Sequence, residues 1–135
     1  AASLLTLPFA RHWVPLLAGE MRESTPRNRL HEKFWTTRYP TIALLPMAAI
    51  VAAVDKADFS SVNKPALFYF SPDDKVVRAE KTEAFAKRWG GSVRTVNPVL
   101  TGDDDRLAHL IAGNIVSPDQ NSFAVQKILT WIKQL

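Results

Sequence analysis

Cysteine is absent from the 135-residue chain, which excludes both a disulfide framework and a thiolate metal site. Runs of five or six like charges are also missing. The 17 Lys and Arg outnumber the 13 Asp and Glu by only four, and they are scattered along the chain. Partnership with nucleic acid or a membrane surface is therefore not expected. No apolar run is long enough to cross a membrane, because the longest, Thr41 to Val54, is broken by Pro46. The opening A-A-S-L-L-T-L-P-F-A lacks the basic segment of a signal peptide and reads as structure. No grouping of His, Asp and Glu has metal-ligand spacing, so neither a metal nor another cofactor is expected. Repeats and low-complexity tracts are absent too. What is left is an ordinary soluble composition for one domain with a core; the compartment stays open, with the cytoplasm slightly favoured.

Taken in order, Ser3 to Leu7 is a short strand candidate closed by Pro8. Arg11 to Glu20 reads as a short helix and Glu23 to Arg29 as a loop. Leu30, Phe34 and Thr37 then mark a helical segment that Pro40 ends. Pro46 suits the first turn of a second helix. Almost every residue from Pro46 to Val54 is apolar, so that helix is expected either to be buried or to face an apolar ligand. Ala66 to Phe70, bounded by Pro65 and Pro72, reads as a buried strand. Thr82, Phe85, Ala86 and Trp89 make an amphipathic stripe that Gly90-Gly91 terminates. Ser92 to Asn97 alternates as a further strand. The chain closes on a helix with Val125, Ile128, Leu129, Ile132 and Leu135 on one face. Strands alternating with helices imply an α/β fold with a parallel sheet.

The chemistry concentrates at K-P-A-L-F-Y-F-S-P-D-D-K-V-V, Lys64 to Val77, where a strand runs into Asp73 and Asp74. Reactive groups of open α/β sheets gather at the carboxyl ends of the strands. His109 lies 35 residues beyond Asp74, in a loop after the next strand candidate. Neighbouring parallel strands would bring the two loops to one edge, carboxylate beside imidazole. An acid holding a histidine in one tautomer is the supporting half of a nucleophilic triad.

The succession S-P-D-D-K-V-V, a helix ending W-G-G, a strand, G-D-D-D-R-L-A-H-L-I-A-G and a terminal amphipathic helix resembles the carboxyl-terminal half of an α/β-hydrolase. The nearest branch is that of esterases, lipases and monoacylglycerol-lipase-like enzymes. The resemblance implies a three-layer parallel sheet comprising strands six to eight with a helical cap insertion. Residues 1–10 would be a core strand, 11–63 the cap or lid, and 64–135 the carboxyl-terminal core. It further implies that Asp74, followed at the family's spacing by Val77, is the triad acid and His109 the triad base. The cap residues Leu44, Leu45, Met47, Ile50 and Val51 would line the cleft for a small ester substrate.

The family's nucleophile elbow, G-x-S-x-G, is missing. Gly90-Gly91-Ser92-Val93-Arg94 comes nearest, but Arg94 replaces the final glycine and Ser92 enters a strand instead of leaving one. Its chain order, Asp, Ser, His, is also wrong for the family. The expectation is thus a fragment of a serine hydrolase that is inactive alone. Its partner would be the missing amino-terminal half, or a second copy pairing through the open strand edge. Two alternatives are a receiver-like signalling module, with Asp73 and Asp74 in a phosphoacceptor pocket, and a non-catalytic scaffold. Asp73 is expected in a turn, Asp103, Asp104 and Asp105 in a solvated loop from which one could cap a turn or hydrogen-bond near His109, and His12 and His31 in structural or exposed positions.

Overall fold

Among the described residues four short segments pair as strands, in two separate two-stranded sheets. The computed structural model describes residues 2–135, with side chains from residue 4 onward. The architecture is mixed α/β, with five α-helices among the described residues, and the chain divides into two units, Ala1–Ala57 and Asp58–Leu135.

The first unit opens on a 3-10 helix, Ala2–Thr6, and this corrects the expected strand at Ser3 to Leu7. A strand leaves its backbone groups unpaired unless a neighbour completes the ladder. With no neighbour, the segment closes its hydrogen bonds locally, as in Leu7 N–H to the Leu4 carbonyl at 3.2 Å. Pro8 then stops it. Helix α1 (Ala10–Ala18) follows and ends at Gly19, whose φ of 78° glycine adopts at little steric cost. Strands β1 (Met21–Glu23) and β2 (Arg38–Pro40) pair antiparallel, with Arg22 opposite Tyr39. They flank α2 (Arg29–Phe34), whose first turn is capped by the Asn28 side chain accepting the His31 N–H at 2.8 Å. Three-residue strands carry no readable alternation, which is why β1 and β2 read as helix ends and loop in the sequence. Helix α3 (Leu44–Lys56) packs against the opening 3-10 helix. Ala10, Val14 and Ala48 form the buried apolar centre of this unit.

The second unit is built on strands β3 (Ala66–Tyr69) and β4 (Val93–Val96), which are parallel and in register from Ala66–Val93 to Tyr69–Val96. Helix α4 (Ala79–Lys87) makes the crossover. Phe59, Phe68, Phe85 and Trp89 cluster with ring centroids 4.7 to 6.4 Å apart, a range favourable for edge and tilted contacts. The Trp89 indole donates to the Lys64 carbonyl at 2.7 Å. Gly91 is required where it stands, since a Cβ there would overlap the Lys64 carbonyl. A short 3-10 helix, Pro118–Gln120, leads into the final helix α5 (Asn121–Ile132). Ala124 is buried, whereas Val125, Leu129 and Ile132 are at least half exposed, so much of the apolar face of α5 is exposed among the described residues.

Candidate functional site

The carboxyl end of β3 passes directly into a turn that its own side chains build. Ser71, 2% exposed, accepts the Asp73 N–H on its hydroxyl at 3.2 Å. One carboxylate oxygen of Asp74, Oδ1, then accepts the N–H groups of Val76 at 2.8 Å and Val77 at 2.9 Å. An aspartate that bonds backbone two and three residues ahead folds the chain around its own carboxylate. The spacing from Asp74 to Val77 therefore has a physical meaning: it leaves the second oxygen, Oδ2, directed elsewhere. That oxygen meets His109 Nδ1 at 2.8 Å.

His109 sits on a loop that Asp105 and Ser117 shape. The Asp105 carboxylate accepts three N–H groups, from Leu107 at 2.9 Å, His109 at 3.2 Å and Leu110 at 2.8 Å. Ser117, fully buried, accepts the Asp105 N–H at 3.0 Å and donates its hydroxyl to the Leu110 carbonyl at 2.5 Å. Between these anchors Ala108 takes φ 52°, a left-handed conformation unfavourable for a residue with a Cβ. The Lys75 N–H bonds the Leu107 carbonyl at 2.9 Å and ties this loop to the Asp74 turn.

Burial pushes the Asp74 carboxyl up, but the bond to the His109 ring, the Val77 and Val76 N–H groups and the imidazole's charge together outweigh it. The net result is a carboxyl held below its ordinary value. Its side chain is 12% exposed against 37% for His109. An ionised carboxylate only accepts, so Nδ1 of His109 carries a proton, and the ring in its neutral form presents the lone pair of Nε2. Among the described residues nothing is hydrogen-bonded to that nitrogen. This arrangement can take a proton at Nε2 while Asp74 stabilises the resulting imidazolium.

A cleft of about 520 Å³ lies at the carboxyl ends of β3 and β4, lined by Ser71, Asn97, Thr101, Asp104 and Arg106 among others. Asp73 and Ala108 also line it, whereas their neighbours Asp74 and His109 do not. Asp104 closes one wall, and it is not the solvated turn residue that the sequence suggests. It is 6% exposed and accepts from Thr101 N–H at 2.7 Å and from the Gln120 amide at 2.7 Å. Burial raises its carboxyl and these donors more than offset it, leaving the carboxyl below its ordinary value. The Tyr69 phenol is pushed up, first by burial and then by the charge of Asp104.

Asp105, at 4% exposed, is not solvated and is the acid of the run that hydrogen-bonds beside His109. Asp73 and Asp103 are exposed, as is His12. His31 is buried, with Nδ1 accepting the Arg27 N–H at 3.0 Å, a structural role. Ser92 enters β4, its carbonyl accepting the Ala66 N–H at 2.9 Å. The five apolar residues expected to line a substrate cleft lie on α3 in the first unit. Leu44 and Leu45 are half-buried, while Met47, Ile50 and Val51 are exposed. The acidic run was expected to offer one hydrogen-bonding residue near His109, and Asp105 is that residue; Ser117, whose link to Asp105 is tertiary, was missed. No grouping of three His, Asp or Glu side chains suited to a metal ion occurs among the described residues, and none of their helices is long and apolar enough to cross a membrane. Comparison with protein-family models, curated proteins and solved structures found no match to the chain.

Proposed function

We infer that this chain supplies the acid and the general base of a serine ester hydrolase, with the nucleophile contributed by polypeptide outside these 135 residues. The observation that carries this reading is the 2.8 Å contact between Asp74 Oδ2 and His109 Nδ1, with Nε2 left open. In the reaction, Nε2 takes the proton of a serine hydroxyl as its oxygen attacks the ester carbonyl. The proton then passes to the departing alkoxide, and the same nitrogen activates water for deacylation. Asp74 stays ionised throughout and stabilises the imidazolium. The substrate class of this reading is an ester with an apolar acyl or alkyl group. The sheet of the second unit belongs to a larger parallel sheet of the α/β-hydrolase type. In support, parallel sheets are ordinarily covered on both faces, yet among the described residues of this unit two strands pair and much of the apolar face of α5 is exposed. A receiver-like role is disfavoured because both oxygens of Asp74 are already engaged, by Val76, Val77 and His109.

The test is hydrolysis of a short-chain chromogenic ester. The chain alone should show no turnover above free imidazole. A polypeptide joining it to its nucleophile-bearing segment should be active and lose about 10³- to 10⁴-fold or more in kcat on His109→Ala. A loss below about tenfold would leave a non-catalytic scaffold as the better account.

A further inference from the structure

The Asp74–His109 contact depends on a turn whose shape neither residue sets. A histidine that follows a residue at φ 52° is presented by a backbone conformation that ordinarily relaxes. Three of the bonds that oppose relaxation converge on one carboxylate. Asp105 gathers the N–H groups of Leu107, His109 and Leu110, which bracket Ala108 on both sides. Its own backbone adds a bond from the Ala108 N–H to the Asp105 carbonyl at 2.7 Å. The bond from the His109 N–H fixes the very residue whose ring must reach Asp74. Asp105 is in turn held from beneath by the buried hydroxyl of Ser117, which spans to the Leu110 carbonyl and closes the turn at its far end.

Resting on the acid–histidine reading above, we propose that Asp105, seated on Ser117, is the positioning residue of this site: it holds the 105–110 turn in the one conformation that delivers His109 Nδ1 to Asp74. A carboxylate suits the task because it accepts on both oxygens and carries no donor. An amide in its place would turn an N–H₂ group toward N–H groups of the turn. Asp105 bonds the backbone of the turn, so its effect is felt through the orientation and tautomer of the imidazole.

The experiment is long-range proton–nitrogen NMR on the ¹⁵N-labelled chain at alkaline pH, which distinguishes a protonated Nδ1 from a protonated Nε2. The Trp89 indole N–H, bonded to the Lys64 carbonyl in the same unit, reports the fold. The unaltered chain should show His109 predominantly protonated on Nδ1, and Asp74→Asn should abolish that preference. Asp105→Asn should shift the tautomer ratio by at least about tenfold toward Nε2, with the Trp89 signal in place. Ser117→Ala should shift it in the same direction to a smaller extent. If Asp74→Asn moves the ratio but Asp105→Asn and Ser117→Ala leave it within about twofold, Asp105 is not the positioning residue and the acid–histidine pair stands. If the unaltered chain carries the proton on Nε2, the pair itself is wrong and the role of Asp105 falls with it. Should Asp105→Asn displace the Trp89 signal, the milder Ser117→Ala decides, and an unchanged ratio there overturns the proposal.

Discussion

Gln120 joins the loop after β4 to the start of α5, and replacing it offers a measurable account of the buried polar cluster. The residue is 7% exposed, and its amide donates to the Val99 carbonyl at 3.1 Å and to Asp104 Oδ2 at 2.7 Å. Gln120→Ala removes a hydrogen bond to a charged group, typically about 1.5–3 kcal/mol, and a neutral one of about 1 kcal/mol. Val99 lies on an exposed loop, so water replaces part of the second bond. The expected cost is about 2–3 kcal/mol at neutral pH, read as a lowered urea midpoint with an unchanged slope. Gln120→Glu is more discriminating, since it sets a second carboxylate against Asp104. Two carboxylates at hydrogen-bond distance cannot both ionise without strong repulsion, so one of them takes up a proton more readily than in the unfolded chain. A folded-state carboxyl raised in this way is stabilising below its unfolded value and costs stability as pH rises. The Glu variant should therefore be at least as destabilised as Ala near pH 7 and recover most of the difference near pH 4.5. Equal destabilisation at both pH values, or an Ala variant within about 0.5 kcal/mol of the parent, would refute the assignment of Gln120 as the partner of a charged Asp104.

Further outcomes follow from the same contacts. Gly91→Ala drives a Cβ into the Lys64 backbone and should destabilise the second unit by about 1–3 kcal/mol, whereas alanine at Gly102, which has open space around it, should be nearly neutral in urea unfolding. Asn28→Ala removes the cap on α2 and should cost the first unit about 1 kcal/mol by the same measurement. The Asp74 carboxyl is lowered in the folded chain, so its contribution is present above the unfolded carboxylate value and is lost as pH falls through the lower folded one. Acid unfolding of Asp74→Asn should accordingly be less steep than that of the parent in this range, while the variant is less stable at neutral pH.

The segments that the sequence revealed plainly are those in which several signals agree. Ala66 to Phe70 combines bulky side chains with flanking prolines and forms β3. The stripe ending in Trp89 and Gly90-Gly91 combines periodicity with a stop and forms α4. The approach of Asp74 to His109 was readable because two loops leave adjacent parallel strands at the same edge. Ser3 to Leu7 was misread because apolar composition alone does not distinguish a strand from a 3-10 turn, and the deciding quantity, a neighbouring ladder, lies outside the segment. The faces of α3 and α5 show the same limit: Ile50 and Leu129 sit on apolar stripes that are exposed in this chain. A stripe records what a helix is suited to cover, and whether it is covered depends on the rest of the fold. Asp104 and Asp105 were hidden in a run of three acids that resembles solvated loop. Only the tertiary partners Gln120 and Ser117 show that two of the three point inward.

The central claim is that Asp74 and His109 act as one unit, and a double-mutant comparison of ester hydrolysis tests it most directly. In a polypeptide joining this chain to the nucleophile-bearing segment proposed above, kcat would be measured for Asp74→Asn, His109→Ala and the double variant. An acid that works only through its histidine has nothing left to contribute once the ring is gone. The account predicts that the double variant is no slower than His109→Ala alone, within about threefold. Losses that multiply would contradict it, because they would mean that Asp74 serves catalysis by a route that does not pass through His109.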